Sequence, residues 1–561
     1  MEEPAISSER DDSSEHGRSL WPWLLLAGLL AIAVLRIADT YRVFNQAMDE
    51  PAHIGAGMQY LDGGTYTYEL KHPPMRAVFA VGPWLLGHRY AANPDSYSEG
   101  NHILYEGGDY VRTLTAARVA ALPFFAATLI LIFLWGRALN GSLAGLFAAL
   151  LYSTLPLALA HAGLATNDVL VTATFTATLF AWSKLLERPT RLRLVLVGIA
   201  IALAFLSKMS AVSFIGAVVV ATAILWYLRG RQLAKSGLPT MRNAVAGAAL
   251  TGAVCLVLIW AAYRFSCGAV SGFVPIHAAI DGSVPDGLLR NFLTAIADTP
   301  IPAPEFAAGF LQLLRHDSLG QPAFFLGSIR THGDLAFFPV AMLIKTPIPF
   351  LLLCAIGAPV LARRWWRSNE ALALVPPAGA LVVLAVCMGS AINIGLRHLL
   401  PAFPLLAICA GVGASRLWAR KARIARVLVI ALLGWQLLTG IRAHPDYLAY
   451  FNECCDSHPE RWIIDSDLDW GQDLDRLAAA LRARHVGELY LAYFGSADPA
   501  RHGLPPFRPL PHGQPVHGWV AISEWEYAFG TSAPPHDYYS WLRGHRPVAR
   551  VGKSIRLYRI E

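Results

Sequence analysis

Long apolar stretches dominate the first 440 residues of the chain, and short polar segments separate them. Stretches such as 245–263 and 335–361 approach or exceed the roughly 20 residues that a helix needs to cross about 30 Å of hydrocarbon. A soluble fold would need many helices with almost no polar face, which is unlike surface helices of globular proteins. The pattern therefore predicts a mainly α-helical protein that crosses a membrane many times.

The apolar pattern predicts about eleven spans, of which the fifth and sixth are short. They are 20–41, 113–139, 143–162, 169–186, 194–206, 211–228, 245–263, 335–361, 371–388, 396–417 and 427–441. The N-terminus is not a cleavable signal peptide, because its first 18 residues are polar and no small-residue cleavage site follows.

Basic clusters between the spans orient the bundle. With eleven spans, all of the clusters fall on one side, which the positive-inside rule assigns to the cytoplasm. These clusters are Arg188/Arg191/Arg193, Arg229/Arg231/Lys235/Arg242, Arg363/Arg364/Arg367 and Arg416/Arg420/Lys421/Arg423/Arg426. The chain therefore divides into a cytoplasmic polar tail (1–19), a membrane domain (20–441) with outer loops 45–112 and 264–334, and an extracytoplasmic domain (442–561). The net charge of +7 reflects topology rather than a nucleic-acid surface, since the basic residues are not gathered on one face.

The extracytoplasmic tail has the pattern of a small α/β domain. Residues 473–484 have helical periodicity, with Leu474, Leu477 and Leu481 on one face. Residues 488–494, 519–522 and 554–560 have the composition of strands.

Two acidic positions stand at predicted outer ends of spans. Asp49 and Glu50 follow the first span directly, and Asp168 opens the fourth. Ionisable groups at a membrane boundary are costly to desolvate and tend to mark function. The alternative is that they cap helices, with Pro51 in the first turn of the next helix and Asp168 at a favourable dipole end. Because consecutive residues point in different directions, we favour Asp49 over Glu50 as the residue that reaches a reacting centre.

Cationic side chains stand apart from the cytoplasmic clusters. Arg397 and His398 lie near the outer end of the tenth span, Lys345 lies within the eighth, and Lys208 lies between the fifth and sixth. Snorkelling to the interface is the alternative for Lys345. Arginine suits a phosphate because its guanidinium binds two oxygens at once. Sugar transfer to a hydroxyl needs a base for the proton and positive charge near the departing phosphate. An outer active site also needs a donor that has already crossed the membrane, such as a polyprenyl-phosphate sugar.

These motifs resemble the C-type-fold membrane glycosyltransferases, in the bacterial branch related to protein O-mannosyltransferases and lipid A aminoarabinose transferases. The likeness rests on the order of five short motifs: Asp49-Glu50, Lys71-His72-Pro73-Pro74, Asp168, Arg397-His398-Leu399-Leu400-Pro401, and the tail stretch from Ile464 to Asp473 with Asp469-Trp470. The resemblance implies inverting single-displacement transfer from a polyprenyl-phosphate sugar to an acceptor hydroxyl on a protein, lipid or polysaccharide.

The resemblance and the residue chemistry together assign candidate roles. The candidate catalytic residues are Asp49, Glu50 and Asp168. The candidate phosphate ligands are Arg397, His398, Lys345, Lys71 and Lys208. The candidates for acceptor or sugar binding are His72, Asp469 and Trp470, although Asp469 and Trp470 also fit a strand-to-helix turn with a carboxylate at the helix start. The residues assign no cofactor, and a divalent metal between Asp49 and Asp168 stays open.

Three functions fit a membrane protein of this kind. The leading hypothesis is the glycosyltransferase, in the inner membrane of a bacterium and with the active site on the outer face. A transporter or flippase of a lipid-linked saccharide would instead be expected to have paired half-structures and charges at mid-membrane. A membrane scaffold would leave Asp49, Asp168 and Arg397 without a shared purpose.

Overall fold

The computed structural model of the protein describes residues 20–234, 239–283, 287–455, 458–532 and 537–561. The predicted tail 1–19 and Lys235 of the second basic cluster lie outside the described residues. The first part of the chain forms eleven helices: α1 (Trp21–Thr40), α2 (Glu50–Leu61), α3 (Val78–Leu85), α4 (Ser96–Tyr105), α5 (Tyr110–Val119), α6 (Leu122–Ser153), α7 (Pro156–Ala162), α8 (Asn167–Glu187), α9 (Arg191–Ser207), α10 (Ser210–Gln232) and α11 (Met241–Ala262).

The described residues of the second part add ten helices and nine short strands. The helices are α12 (Ile276–Ser283), α13 (Leu288–Asp298), α14 (Pro304–Leu319), α15 (Phe337–Lys345), α16 (Ile348–Ser368), α17 (Ala371–Met388), α18 (Phe403–Trp418), α19 (Arg423–Arg442), α20 (Leu474–Ala483) and α21 (Glu524–Phe529). The strands are β1 (Cys267–Gly268), β2 (Ile301–Pro302), β3 (Ala323–Phe325), β4 (Ser328–Arg330), β5 (Leu489–Ala492), β6 (Phe507–Pro509), β7 (Gly518–Ser523), β8 (Ala549–Val551) and β9 (Ile555–Ile560).

Nine helical segments in the described ranges are long and apolar enough to cross a membrane. Helix α9, predicted as the short fifth span, has 17 residues and is not among them. The segment Tyr110–Ser153 is 44 residues long and contains two of the predicted spans. The mainly helical membrane bundle is therefore confirmed, while the count of eleven spans and the orientation stay predictions.

The chain reverses direction inside α6. Asn140 and Gly141 leave the helical conformation, and Gly141 has φ of 79°, which glycine adopts without steric cost. On either side of this break the backbones touch, since a Cβ on Gly136 would lie 2.9 Å from the Cα of Gly145. Nine residues of continuous helix would separate them by about 13 Å. The apparent single helix is therefore two antiparallel helices, which correspond to the predicted spans 113–139 and 143–162.

The predicted span 335–361 is broken in the structure. Helix α15 ends at Lys345, Thr346 has an extended ψ of 133°, and α16 begins after Pro347. A residue before proline avoids the helical region, which explains the break. The amide of Asn452, in the segment after the last span, donates to the carbonyls of Leu343 and Thr346. The C-terminal chain therefore reaches into the bundle at this point.

The C-terminal domain is built on a five-stranded mixed sheet in the order β6-β5-β7-β9-β8. Strand β5 runs parallel to β6 and β7, whereas β9 runs antiparallel to β7 and β8. Leu474, Leu477 and Leu481 of α20 are buried in one cluster with β5 and β9 residues. The predicted helix and three strands are confirmed. The sequence missed β6 and β8, which are edge strands of three residues each and too short to display alternation.

Candidate active site

Two predicted carboxylates and two predicted cations meet at the outer-loop ends of the bundle. Arg397 Nη1 donates to Asp49 Oδ2 at 2.8 Å and lies 3.8 Å from Asp168 Oδ2. Lys208 Nζ donates to Asp168 Oδ1 at 2.7 Å. The Asp49 side chain keeps 28% of its exposure, but that of Asp168 keeps only 2%. Asp168 is therefore enclosed by cations, and Asp49 is the carboxylate with open access.

Each of these side chains sits where a helix begins or ends. Asp49 is the residue before α2, and Asp168 lies in the first turn of α8. Lys208 stands between α9 and α10 with extended backbone. Arg397 belongs to the 3₁₀ turn Leu396–Ala402 that leads into α18. Apolar helix interiors cannot hold unpaired charges, so the charges collect where these helices stop.

A cavity of about 620 Å³ opens beside this cluster. Seven of the candidate residues line it: Asp49, Asp168, Arg397, His398, Lys71, Lys208 and His72. Further polar side chains line it that the sequence analysis did not select, namely His53, Glu69, Tyr97, Asn167, His316, Asp317, Gln321 and Ser390. His53 belongs to the same motif as Asp49, and His316-Asp317 lie in the second outer loop. Their positions in loops outside the predicted spans were the signal in the sequence that could have identified them as site residues.

Several buried polar atoms in this cavity have no hydrogen-bond partner within the described part of the chain. They are His53 Nδ1, His72 Nδ1, both amide atoms of Asn167, Arg397 Nε and His398 Nε2. Unpaired buried polar groups are rare and each calls for an explanation. Their convergence is what a site for a ligand rich in oxygen atoms requires.

The two loop histidines of the cavity are neutral. Burial, together with the charge of Arg76, lowers the pKa of His53 to about 3. Burial, with Arg76 again adding to the effect, holds the pKa of His72 well below its ordinary range. The two rings contact edge to face with centroids 5.3 Å apart. A neutral imidazole offers one donor and one acceptor nitrogen, which suits sugar hydroxyls rather than phosphate.

Glu50 lies outside the cavity. Its carboxylate accepts four hydrogen bonds, two from the guanidinium of Arg118 at 2.8 and 2.7 Å and two from the backbone of Ala47 and Ala165. Both Glu50 and Arg118 are fully buried, with side chains 0% and 1% exposed. This position separates Glu50 from the other catalytic candidates, since every oxygen lone pair is engaged in holding the first outer loop to α5 and to the start of α8.

Lys345, Asp469 and Trp470 also do not line the cavity. The Lys345 ammonium is buried and donates to the carbonyls of Leu448 and Asp467, with the Asp467 carboxylate 3.6 Å away. Asp469 accepts from the backbone of Gly471 and Trp525. Trp470 lies beneath the guanidinium of Arg397, whose central carbon is 4.2 Å from the ring centroid. Lys345 and Asp469 therefore anchor the tail, and Trp470 acts on the site through Arg397.

The tail stretch contributes Asp465, which the sequence analysis did not select. Burial raises the pKa of Asp465 to about 7, and the nearby charges of Arg397 and Asp49 act on it in opposite directions. Its φ of 41° lies in the left-handed region, which an L-residue rarely adopts and which strained functional positions often show. The available signal was the alternation of Asp465, Asp467 and Asp469 within the tail stretch from Ile464 to Asp473.

The described ranges contain no group of three or more His, Cys, Asp or Glu side chains arranged to hold a metal ion. Asp49 and Asp168, the pair considered for a metal, are instead neutralised by Arg397 and Lys208. The donor set of this site therefore does not fit a divalent cation.

Comparisons with known proteins bear on the fold. Residues 26–271 match the family model described as dolichyl-phosphate-mannose-protein mannosyltransferase. The fold is similar to that of ArnT from Cupriavidus metallidurans, solved bound to undecaprenyl phosphate, with TM-score 0.50 and 13% identity over 95% of this chain and 98% of that one. It is also similar to the S. cerevisiae protein O-mannosyltransferase Pmt1-Pmt2 complex, solved bound to the sugar donor, with TM-score 0.51 and 10% identity over 76% of this chain and 90% of that one. A search of curated proteins found no match.

The fold and the site define an integral membrane protein of the glycosyltransferase C-type fold. The predicted resemblance to the branch related to protein O-mannosyltransferases and lipid A aminoarabinose transferases is confirmed by the family model and the two similar structures. The matched segment 26–271 includes Asp49, the Lys71-His72 motif and Asp168.

Proposed function

We propose that the protein transfers a sugar from a polyprenyl-phosphate donor to an acceptor hydroxyl, in one inverting displacement at the outer face of a bacterial inner membrane. The observation that carries this proposal is the meeting of an accessible carboxylate, Asp49, with Arg397, Lys208 and Lys71 in one cavity beside apolar helices. A base and a phosphate site are the two requirements of this reaction. The undecaprenyl phosphate bound to the similar ArnT structure and the dolichyl-phosphate-mannose in the description of the matching family model support the same donor class.

Asp49 is the proposed base. The acceptor hydroxyl loses its proton to Asp49 as its oxygen bonds to the anomeric carbon, and the carbon–oxygen bond to phosphate breaks on the opposite face. The electron pair leaves with the polyprenyl phosphate, so the anomeric configuration inverts. Asp49 is suited to this because it is partly exposed and, among the described residues, forms an ion pair with Arg397 alone.

Arg397 is the proposed link between donor binding and the base. In the structure its Nη1 is committed to Asp49, while its Nε is buried without a partner in the described chain. A donor phosphate that bonds to the guanidinium competes with Asp49 for positive charge. Donor binding therefore releases Asp49 from Arg397 when the acceptor needs a base. Lys71 and Lys208 add positive charge to the phosphate site, and His398 lines the cavity beside Arg397.

Asp168 is a positioning residue in this proposal. Its buried carboxylate holds Lys208 at 2.7 Å and stands 3.8 Å from Arg397, so that two cations are fixed beside the cavity. His72, with His53, is the proposed sugar contact. The acceptor is a protein, lipid or polysaccharide that bears a free hydroxyl.

Transport of a lipid-linked saccharide is the second hypothesis. It is disfavoured because the charges form one cluster at the helix ends, whereas alternating access calls for a site at mid-membrane between related halves.

The test is transfer by the purified protein, supplied with radiolabelled polyprenyl-phosphate sugars and a crude extracytoplasmic extract as acceptor. We expect label to move from one donor class, with an inverted anomeric linkage in the product. Retention of configuration would refute the single displacement. Release of intact lipid-linked sugar to the opposite leaflet, without transfer, would favour transport.

A further inference from the structure

A second cavity, of about 350 Å³, lies between the C-terminal domain and the β3–β4 hairpin of the second outer loop. Phe324 and Gly327 of the hairpin form one side, and residues of the C-terminal domain form the other. None of its lining residues lines the reaction cavity. It is therefore a separate candidate site.

Two glutamates and two arginines form a closed ion cluster in its wall. Glu460 accepts from both terminal nitrogens of Arg550, at 3.1 and 2.5 Å. Glu524 accepts two bonds of 2.8 Å from Arg556. Glu460 and Glu524 are 8% and 1% exposed, so the cluster is rigid and internally neutral. Since the two negative and the two positive charges cancel, this cluster needs no ligand for neutrality.

Arg461 and Arg543 add positive charge to this neutral wall. Both line the cavity and are exposed, and neither has a carboxylate within 4.0 Å among the described residues. Four arginines against two glutamates leave two positive charges facing one space. A guanidinium pair of this kind matches an oxyanion, which it binds through several parallel hydrogen bonds.

The second cavity is close to the reacting groups along the chain. Arg461 is four residues from Asp465, and four extended residues span at most about 14 Å. Ile463, between them, pairs with Phe325 of the hairpin. The chain therefore links the second cavity directly to the tail stretch that carries Asp465.

We propose that this second cavity binds a phosphate or carboxylate group of the acceptor substrate, an assignment that rests on the proposed glycosyl transfer. An anion on the acceptor neutralises Arg461 and Arg543, and holds the acceptor with its hydroxyl toward Asp49. Neutral hydroxyl compounds bind more weakly because they leave both arginines unpaired.

The binding itself can be tested without any transfer. The full-length protein in detergent is treated with phenylglyoxal, and modification of each arginine is followed by mass spectrometry in the presence of inorganic pyrophosphate, galacturonate or neutral methyl galactoside. We expect pyrophosphate or galacturonate to slow modification of Arg461 and Arg543. Arg546, exposed on the same domain but outside the cavity, is the internal control. Equal rates at Arg461 with and without both anions would overturn the proposal.

The role in transfer needs a second measurement. The Arg461→Gln/Arg543→Gln variant is compared with Arg546→Gln, using a methyl glycoside acceptor with and without a phosphate group. We expect the double variant to raise KM for the phosphorylated acceptor at least about tenfold with kcat unchanged, since each lost charge-assisted bond is worth over 1 kcal/mol. An unchanged KM would overturn the acceptor role. Absence of transfer by the wild type counts against the proposed function, and the modification result still decides whether the anion site exists.

Discussion

Asp49 and Glu50 are neighbours in the chain, yet the structure gives them different roles. Glu50 stabilises the fold, and Asp49 is the proposed base. The perturbation that tests this separation is Glu50→Gln, which removes a charge and keeps the shape. Arg118 would then remain as an uncompensated cation with a side chain only 1% exposed. Breaking a buried ion pair from one side costs about 3–5 kcal/mol. The amide also presents a donor where two of the four bonds to Glu50 need an acceptor.

The assay is unfolding of the purified protein in mixed detergent micelles, followed by tryptophan fluorescence. We expect Glu50→Gln to lower the free energy of unfolding by about 3 kcal/mol or more. Glu106→Gln, an exposed change in the same outer loop, should leave it unchanged. Well below the unfolding temperature, transfer per folded molecule should stay within a few-fold of the wild type. A Glu50→Gln protein that is fully stable but inactive would refute the structural assignment.

Three further predictions follow from the contacts around the cavity. Arg397→Lys should raise the KM for the donor by roughly tenfold or more, since lysine cannot bind two phosphate oxygens in a plane; an unchanged KM would exclude the guanidinium as a phosphate ligand. Because the pKa of Asp465 is about 7, raising the pH through this value adds a negative charge near Arg397. The KM for the donor should therefore rise between pH 6 and 8 in the wild type and stay constant in Asp465→Asn. An equal change of KM with pH in both proteins would contradict this. Lys345→Met should lower the free energy of unfolding by about 3 kcal/mol, because it leaves the buried Asp467 carboxylate without its cation. The double variant Lys345→Met/Asp467→Asn should recover part of that loss. If the effects of the two single substitutions on the free energy of unfolding simply add, the pair is not coupled.

The membrane bundle was readable from the sequence because membrane spans follow a simple rule of length and hydrophobicity. Asp49, Asp168, Lys208 and Arg397 were found by the same reasoning, since charges beside apolar helices are costly. To predict that these four side chains converge, it was enough to assume that the helix ends bearing them lie on the same side of the membrane. The hairpin at Asn140-Gly141 was also readable, because a polar residue and a glycine interrupt an apolar run.

What the sequence could not reveal was which charged residues point at one another across long separations. Glu50 and Arg118 are 68 residues apart, and nothing local distinguishes that pair from a catalytic carboxylate. Lys345 lies within an apolar run, but its partner Asp467 is 122 residues further on. The approach of Asp465 to Asp49 and Arg397 depends on how the C-terminal domain docks on the bundle, and docking of this kind leaves no periodic pattern in the chain.

The central claim is that Asp49 acts as the base while Arg397 and its neighbours hold the donor. The most direct measurement compares wild type and Asp49→Asn in proteoliposomes, with one labelled polyprenyl-phosphate sugar, and records donor binding and sugar transfer on the same preparation. Because asparagine is nearly isosteric and releases Arg397 for the phosphate, the account predicts that donor binding persists or tightens while transfer is lost. Transfer at the wild-type rate by Asp49→Asn would contradict the account.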